Sequence, residues 1–143
     1  MDVRFTNESD ETLTLAHNMN SHCVLVKVEP AHCHTLEPEE SVLLRVKKAS
    51  GILEGAYGPE VLCIWRSDDD GAWISYVVQN PINGHPEGAF ECYLTEDDDW
   101  GPIWGKLMAK KRDTNFFESN NRRLSADYTR TGEDAIIWTI TYK

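Results

Sequence analysis

The chain has 143 residues, enough for one domain to bury a core without help from disulfides or metal. Fourteen Lys and Arg against twenty-four Asp and Glu give a formal net charge of −10. Such a charge repels nucleic-acid phosphate and the surface of an anionic membrane, so neither is an expected partner. The opening MDVRFTNESDETLTL has no basic start or unbroken apolar run, and no stretch approaches the roughly 20 apolar residues of a membrane-spanning helix. The expectation is a soluble protein, cytoplasmic or secreted by a non-classical route, whose four cysteines (Cys23, Cys33, Cys63 and Cys92) are reduced thiols.

Val3 to Thr6 and Thr12 to Ala16 read as short strands separated by Asn7-Glu8-Ser9-Asp10, whose side chains favour turns. Asn7-Glu8-Ser9 also matches a glycosylation acceptor, a cheap signal in this context. Cys23 to Val28 and Val42 to Val46 are β-rich, with a small strand expected at His32 to Leu36 between proline-punctuated turns. Val61 to Arg66 and Ala72 to Val78 flank Ser67-Asp68-Asp69-Asp70-Gly71, and the Asp-Gly pair supplies the backbone freedom of a tight hairpin. Both runs are apolar on both parities, which predicts a central pair covered on both sides.

After a breaker-rich loop at Asn80 to Pro86, a strand is expected at Ala89 to Thr95. The acidic run Glu96 to Asp99 leads into Trp100-Gly101-Pro102-Ile103-Trp104, which reads as loop. Lys106 to Lys111 reads as a strand or one helical turn, and Thr114 to Ser125 as a long loop or short helix. Ala135 to Tyr142 closes the chain with alternating Ile136, Trp138, Ile140 and Tyr142. Many short strands, turn signals at even spacing and no clear amphipathic helix together indicate one all-β antiparallel sandwich over residues 1–143.

Several clusters carry candidate chemistry. His22, Cys23, His32, Cys33 and His34 are soft ligands that could converge if Cys23 to Val28 paired with His32 to Leu36. Adjacent residues on a strand face opposite ways, however, so few of them can join one site, and no metal is assigned. None of the cysteines is favoured as a nucleophile, since Cys63 and Cys92 sit in apolar strands where a thiol acts as a small hydrophobe. The Asp68 to Asp70 and Asp97 to Asp99 runs lack the alternation of a calcium loop. Trp100 and Trp104, with Phe116 and Phe117 further on, offer aromatic faces suited to a lipid headgroup boundary, a choline group or a sugar ring. Plugging the end of the sandwich is the competing role for the same rings. Carboxylates beside them favour a cationic headgroup group over a phosphate-rich target.

The order FTNESDETLTL, then LEPEESVLLRV, then GILEGAYG before the hairpin, and a Trp-rich second strand ending in Asn80-Pro81 with Gly84, resembles the aegerolysin and bacterial crystal-protein superfamily. The resemblance spans Phe5 to Phe90 and the last strand. It implies an actinoporin-like β-sandwich that recognises membrane lipids, in some relatives sphingolipids, and in some cases acts with a larger pore-forming protein. The charged stretch Glu96 to Arg123 and the His/Cys segment depart from the family pattern.

The reading that follows is a non-enzymatic membrane-lipid recognition protein, toxin-like or a component of a pore-forming system, without a cofactor. Its expected partner is a neutral or zwitterionic lipid. The contact residues are Trp100, Trp104, Phe116 and Phe117, with Tyr57 and Trp73 next because they lie near turns of the central hairpin. The alternatives are a lectin-like carbohydrate-binding module, an acidic protein-interaction adaptor and, more remotely, a metal-dependent enzyme built on the His/Cys segment.

Overall fold

A computed structural model of the chain describes residues 1–49, 58–80, 86–93, 101–110, 123–132 and 135–143. Among the described residues, ten strands and one helix follow in the order β1 (Asp2–Asn7), β2 (Leu13–Ser21), β3 (Cys23–Glu29), β4 (Thr35–Leu36), β5 (Ser41–Lys48), β6 (Glu60–Ser67), β7 (Trp73–Gln79), β8 (Glu87–Tyr93), α1 (Gly101–Lys110), β9 (Leu124–Arg130) and β10 (Ile136–Tyr142). They form two five-stranded sheets, β3-β5-β1-β10-β9 and β4-β2-β6-β7-β8. The sandwich architecture agrees with the strand pattern of the sequence. One pairing departs from an all-antiparallel arrangement, because β1 runs parallel to β10. Nearly the whole chain separates these two strands, so no tight turn forces them to oppose each other.

The inner faces meet in a core that includes Phe5, Trp65, Tyr76, Phe90 and Trp138. Phe5 packs its ring 5.4 Å from Trp65 and 5.3 Å from Tyr76, tying β1 of one sheet to β6 and β7 of the other. On β10 the alternation read from sequence holds, with Ile136, Trp138, Ile140 and Tyr142 buried and Ile137 and Thr139 exposed.

The hairpin β6–β7 is buried on both faces, as its two apolar parities demand. Val61, Cys63 and Trp65 point into the main core, while Leu62 and Ile64 join Trp73, Val77, Ala89 and Leu107 in a second cluster under α1. The turn is held by its own residues. Ser67 Oγ accepts from the Asp69 and Asp70 amides, Asp70 Oδ1 accepts from the Ala72 amide, and Gly71 takes φ +71°, a region glycine enters without strain.

Residues 101–104, read from sequence as loop, begin α1. Pro102 suits a first helical turn, where its missing N–H loses no hydrogen bond, and the carboxylates at 96–99 precede the positive end of the helix dipole in sequence. Gly105 weakens a helix interior by about 1 kcal/mol, so propensity alone does not select helix here. The burial of Leu107 against the outer face of β7 and β8 supplies what propensity lacks. A second departure is β9. Leu124 and Ala126 are buried, alternating with the more exposed Ser125 and Asp127, where the sequence reading extended a loop or short helix as far as Ser125.

Candidate functional site

The opening turn accounts for one motif in structural terms. Asn7 is fully buried, its Nδ2 donating to the carbonyls of Glu11 and Leu36, while its Oδ1 accepts from the Ser9 amide and hydroxyl. The side chain is committed to fixing the β1–β2 turn and is not presented to a glycosyltransferase.

The His/Cys segment does not assemble as a hairpin. Cys23 to Val28 pairs with β5, and Thr35 and Leu36 pair with β2, so the two halves separate onto different sheets. His22 and His32 each occupy a left-handed turn position, with φ 57° in both cases. Among the described residues no three His, Cys, Asp or Glu side chains gather in a metal-holding cluster. His32, Cys33 and His34 instead line a cavity of about 160 Å³ between the sheets, together with Leu15, Leu25, Val28, Leu44 and Trp65.

The thiols are chemically quiet. Burial pushes Cys63 up to about 12, and burial also raises Cys23 and Cys33, which are only partly enclosed. Cys23 Sγ donates to the Glu60 carbonyl and Cys33 Sγ to the Thr35 carbonyl, which holds each as a thiol. In the native protein at pH 8, a maleimide should react slowly at Cys23 and Cys33 and spare Cys63 and Cys92, all four reacting once the chain is unfolded. Native labelling of any one faster than free cysteine would mark an activated nucleophile and overturn this reading.

Of the aromatic candidates, Trp104 lies on α1 with 37% of its surface exposed. Leu107, one turn further along, is buried against the sheet and anchors the helix that carries it. Trp73 is placed otherwise. Only 2% of it is exposed, it packs among Leu62, Ile64, Val77, Ala89 and Leu107, and the Arg66 guanidinium lies 5.0 Å from its ring centroid. Proximity to a hairpin turn therefore did not put Trp73 on the surface, because the outer face of β7 is roofed by α1. Tyr57, Trp100, Phe116 and Phe117 lie outside the described residues.

Two features of the fold are not evident from the sequence. Among the described residues β3 is an edge strand, with Val24, Leu25 and Val26 exposed in succession. Arg123 is a structural hub that bonds Glu11, Asp70 and the Lys143 carbonyl.

The helix-capped sandwich has known counterparts. No protein-family model matches the chain, and no curated protein sequence is significantly similar to it. Among solved structures, the lipid-binding protein Nakanori superposes with a TM-score of 0.74 at 15% sequence identity, over 99% of this chain and 69% of that one. This chain shares the fold of that lipid-binding protein.

Proposed function

We propose that the protein recognises membrane lipid without catalysing a reaction, docking through the aromatic surface centred on Trp104. The observation that carries the reading is an exposed indole on a helix fastened to the sheet by Leu107, in a fold shared with a lipid-binding protein. An indole presents an apolar body and a polar N–H, a combination suited to the headgroup boundary. Trp100, Phe116, Phe117 and Tyr57 are the further contact residues proposed from the sequence, and the ligand is a neutral or zwitterionic lipid, a sphingolipid being the leading case. As the aegerolysin resemblance implies, the bound protein serves a pore-forming or toxin-like system, with a larger protein partner, from the cytoplasm or after non-classical export.

Co-sedimentation with phosphatidylcholine vesicles, with and without sphingomyelin, tests this directly. Trp104→Ala should weaken binding about ten- to hundredfold, the loss from one buried indole, while leaving the unfolding midpoint nearly unchanged. Excess free sugar should have no effect, since competition by sugar would move the same surface to the lectin-like reading. Absence of wild-type binding to any of these vesicles would sink the proposal.

A further inference from the structure

The chain is acidic as a whole, but the fold sorts its charge. The strands of the first sheet hold six basic residues (Arg4, Lys27, Arg45, Lys47, Lys48, Arg130) against the acidic Asp2, Glu29 and Asp127. The strands of the second sheet hold Arg66 against Glu60, Glu87 and Glu91. Lys27 pairs with Glu29 at 2.6 Å, and Arg45 pairs with Asp2 at 2.7 Å. Lys47 and Lys48 are exposed and form no ion pair among the described residues. They stand at the end of β5 that pairs with Val24 and Cys23 of the edge strand.

At the same edge, Val24, Leu25 and Val26 are 49%, 43% and 52% exposed. The register of β3 against β5 shifts between Leu25 and Lys27, leaving Val26 as the extra residue of a bulge. Val26 and the exposed Ile137 line one groove of about 560 Å³ together with Arg45 and Lys47. Val24 stands opposite Lys47 in the register, so Val24, Val26, Ile137 and Lys47 share one face, on the side of the sandwich away from α1, whereas Leu25 walls the cavity between the sheets and Lys48 has the opposite orientation to Lys47.

We propose that this face is a second lipid-contact surface, selective for anionic phospholipid. Val24, Val26 and Ile137 would enter the headgroup boundary while Lys47 meets lipid phosphate and carboxylate groups. The net charge of −10 does not forbid it. Sheets of a sandwich stand about 10 Å apart, and fields are screened over about 8 Å at physiological salt, so the near lysine governs the approach. The composition also separates a bilayer from a protein partner. Protein interfaces are enriched in Trp, Tyr and Arg and depleted in Lys, whereas aliphatic residues beside lysines are what a membrane surface takes up.

This inference does not depend on the Trp104 surface, and the two fail separately. The test is co-sedimentation with phosphatidylcholine vesicles, with and without phosphatidylserine, at low and near-physiological salt. Binding should require phosphatidylserine and weaken with salt. It should fall at least about fivefold in Lys47→Glu, the loss expected for one lysine near an anionic surface, and persist in Trp104→Ala. Val24→Thr/Val26→Thr keeps β-branched side chains and should lose binding several-fold at an unchanged unfolding midpoint. Three outcomes would overturn the proposal: binding indifferent to phosphatidylserine or absent, wild-type binding by a folded Lys47→Glu variant, or sedimentation showing a dimer that Val24→Thr/Val26→Thr dissolves.

Discussion

Alanine in place of Trp73 is expected to destabilise the protein by about 3–5 kcal/mol, the range for deleting a large buried aromatic side chain. Trp73 is only 2% exposed, and its ring fills the layer between the outer face of the second sheet and α1, against Leu62, Ile64, Val77 and Leu107. The loss combines the transfer of the ring from water with a cavity that the rigid strands β6 and β7 cannot collapse to fill. Arg66, stacked 5.0 Å from the ring, would lose that contact as well. Urea unfolding followed by circular dichroism measures the effect, with Trp104→Ala as the exposed control expected to cost less than about 1 kcal/mol. If Trp73→Ala kept full stability and lost vesicle binding, the residue would belong to the contact surface and the roof formed by α1 would be wrong.

Arg123→Ala is expected to cost about 2–4 kcal/mol, an unusually large value for a partly exposed arginine. Its Nη2 donates to Glu11 Oε2 at 2.9 Å, Nη1 reaches Asp70 Oδ2 at 3.4 Å, and Nε donates to the Lys143 carbonyl at 2.9 Å. The guanidinium also lies 4.5 Å from the centroid of the Tyr142 ring, whose hydroxyl donates to the same Glu11 oxygen at 2.9 Å. One side chain therefore ties the β1–β2 turn, the central hairpin turn and the last strand together. Without it the enclosed Glu11 carboxylate keeps the Tyr142 hydroxyl but loses its cation, and leaving such a group under-satisfied is the costly part. Arg123→Lys should recover only part of the loss, because an ammonium cannot hold these acceptors in the planar fork that a guanidinium provides. A change below about 0.5 kcal/mol in Arg123→Ala would reduce the cluster to ordinary surface pairing.

Much of the sandwich was legible because it depends on local pattern. Period-two alternation marks β10, apolar residues on both parities mark β6 and β7 as a central pair, and Asp70-Gly71 marks the turn between them. The same logic was available for β9, where Leu124, Ala126 and Tyr128 alternate with polar residues, but the preceding polar stretch from Thr114 obscured it. Helix α1 was not legible. Its glycines, proline and tryptophan spell a loop by propensity, and Leu107 docking on β7 and β8 makes helix the better solution.

By itself the sequence determined the all-β class, the hairpin at the centre and the buried, unreactive character of Cys63, since each follows from neighbours along the chain. The tertiary structure decided which strands became edges, which aromatic rings were roofed and where the charges were gathered. Trp73 and Trp104 are alike in composition, yet one lies beneath a helix and the other upon it. A net charge of −10 is a property of the chain, whereas Lys47 is set beside Val24 and Val26 by the pairing of β3 with β5. Composition sums over the whole molecule, but a binding partner within a Debye length meets only what the fold has placed on one face.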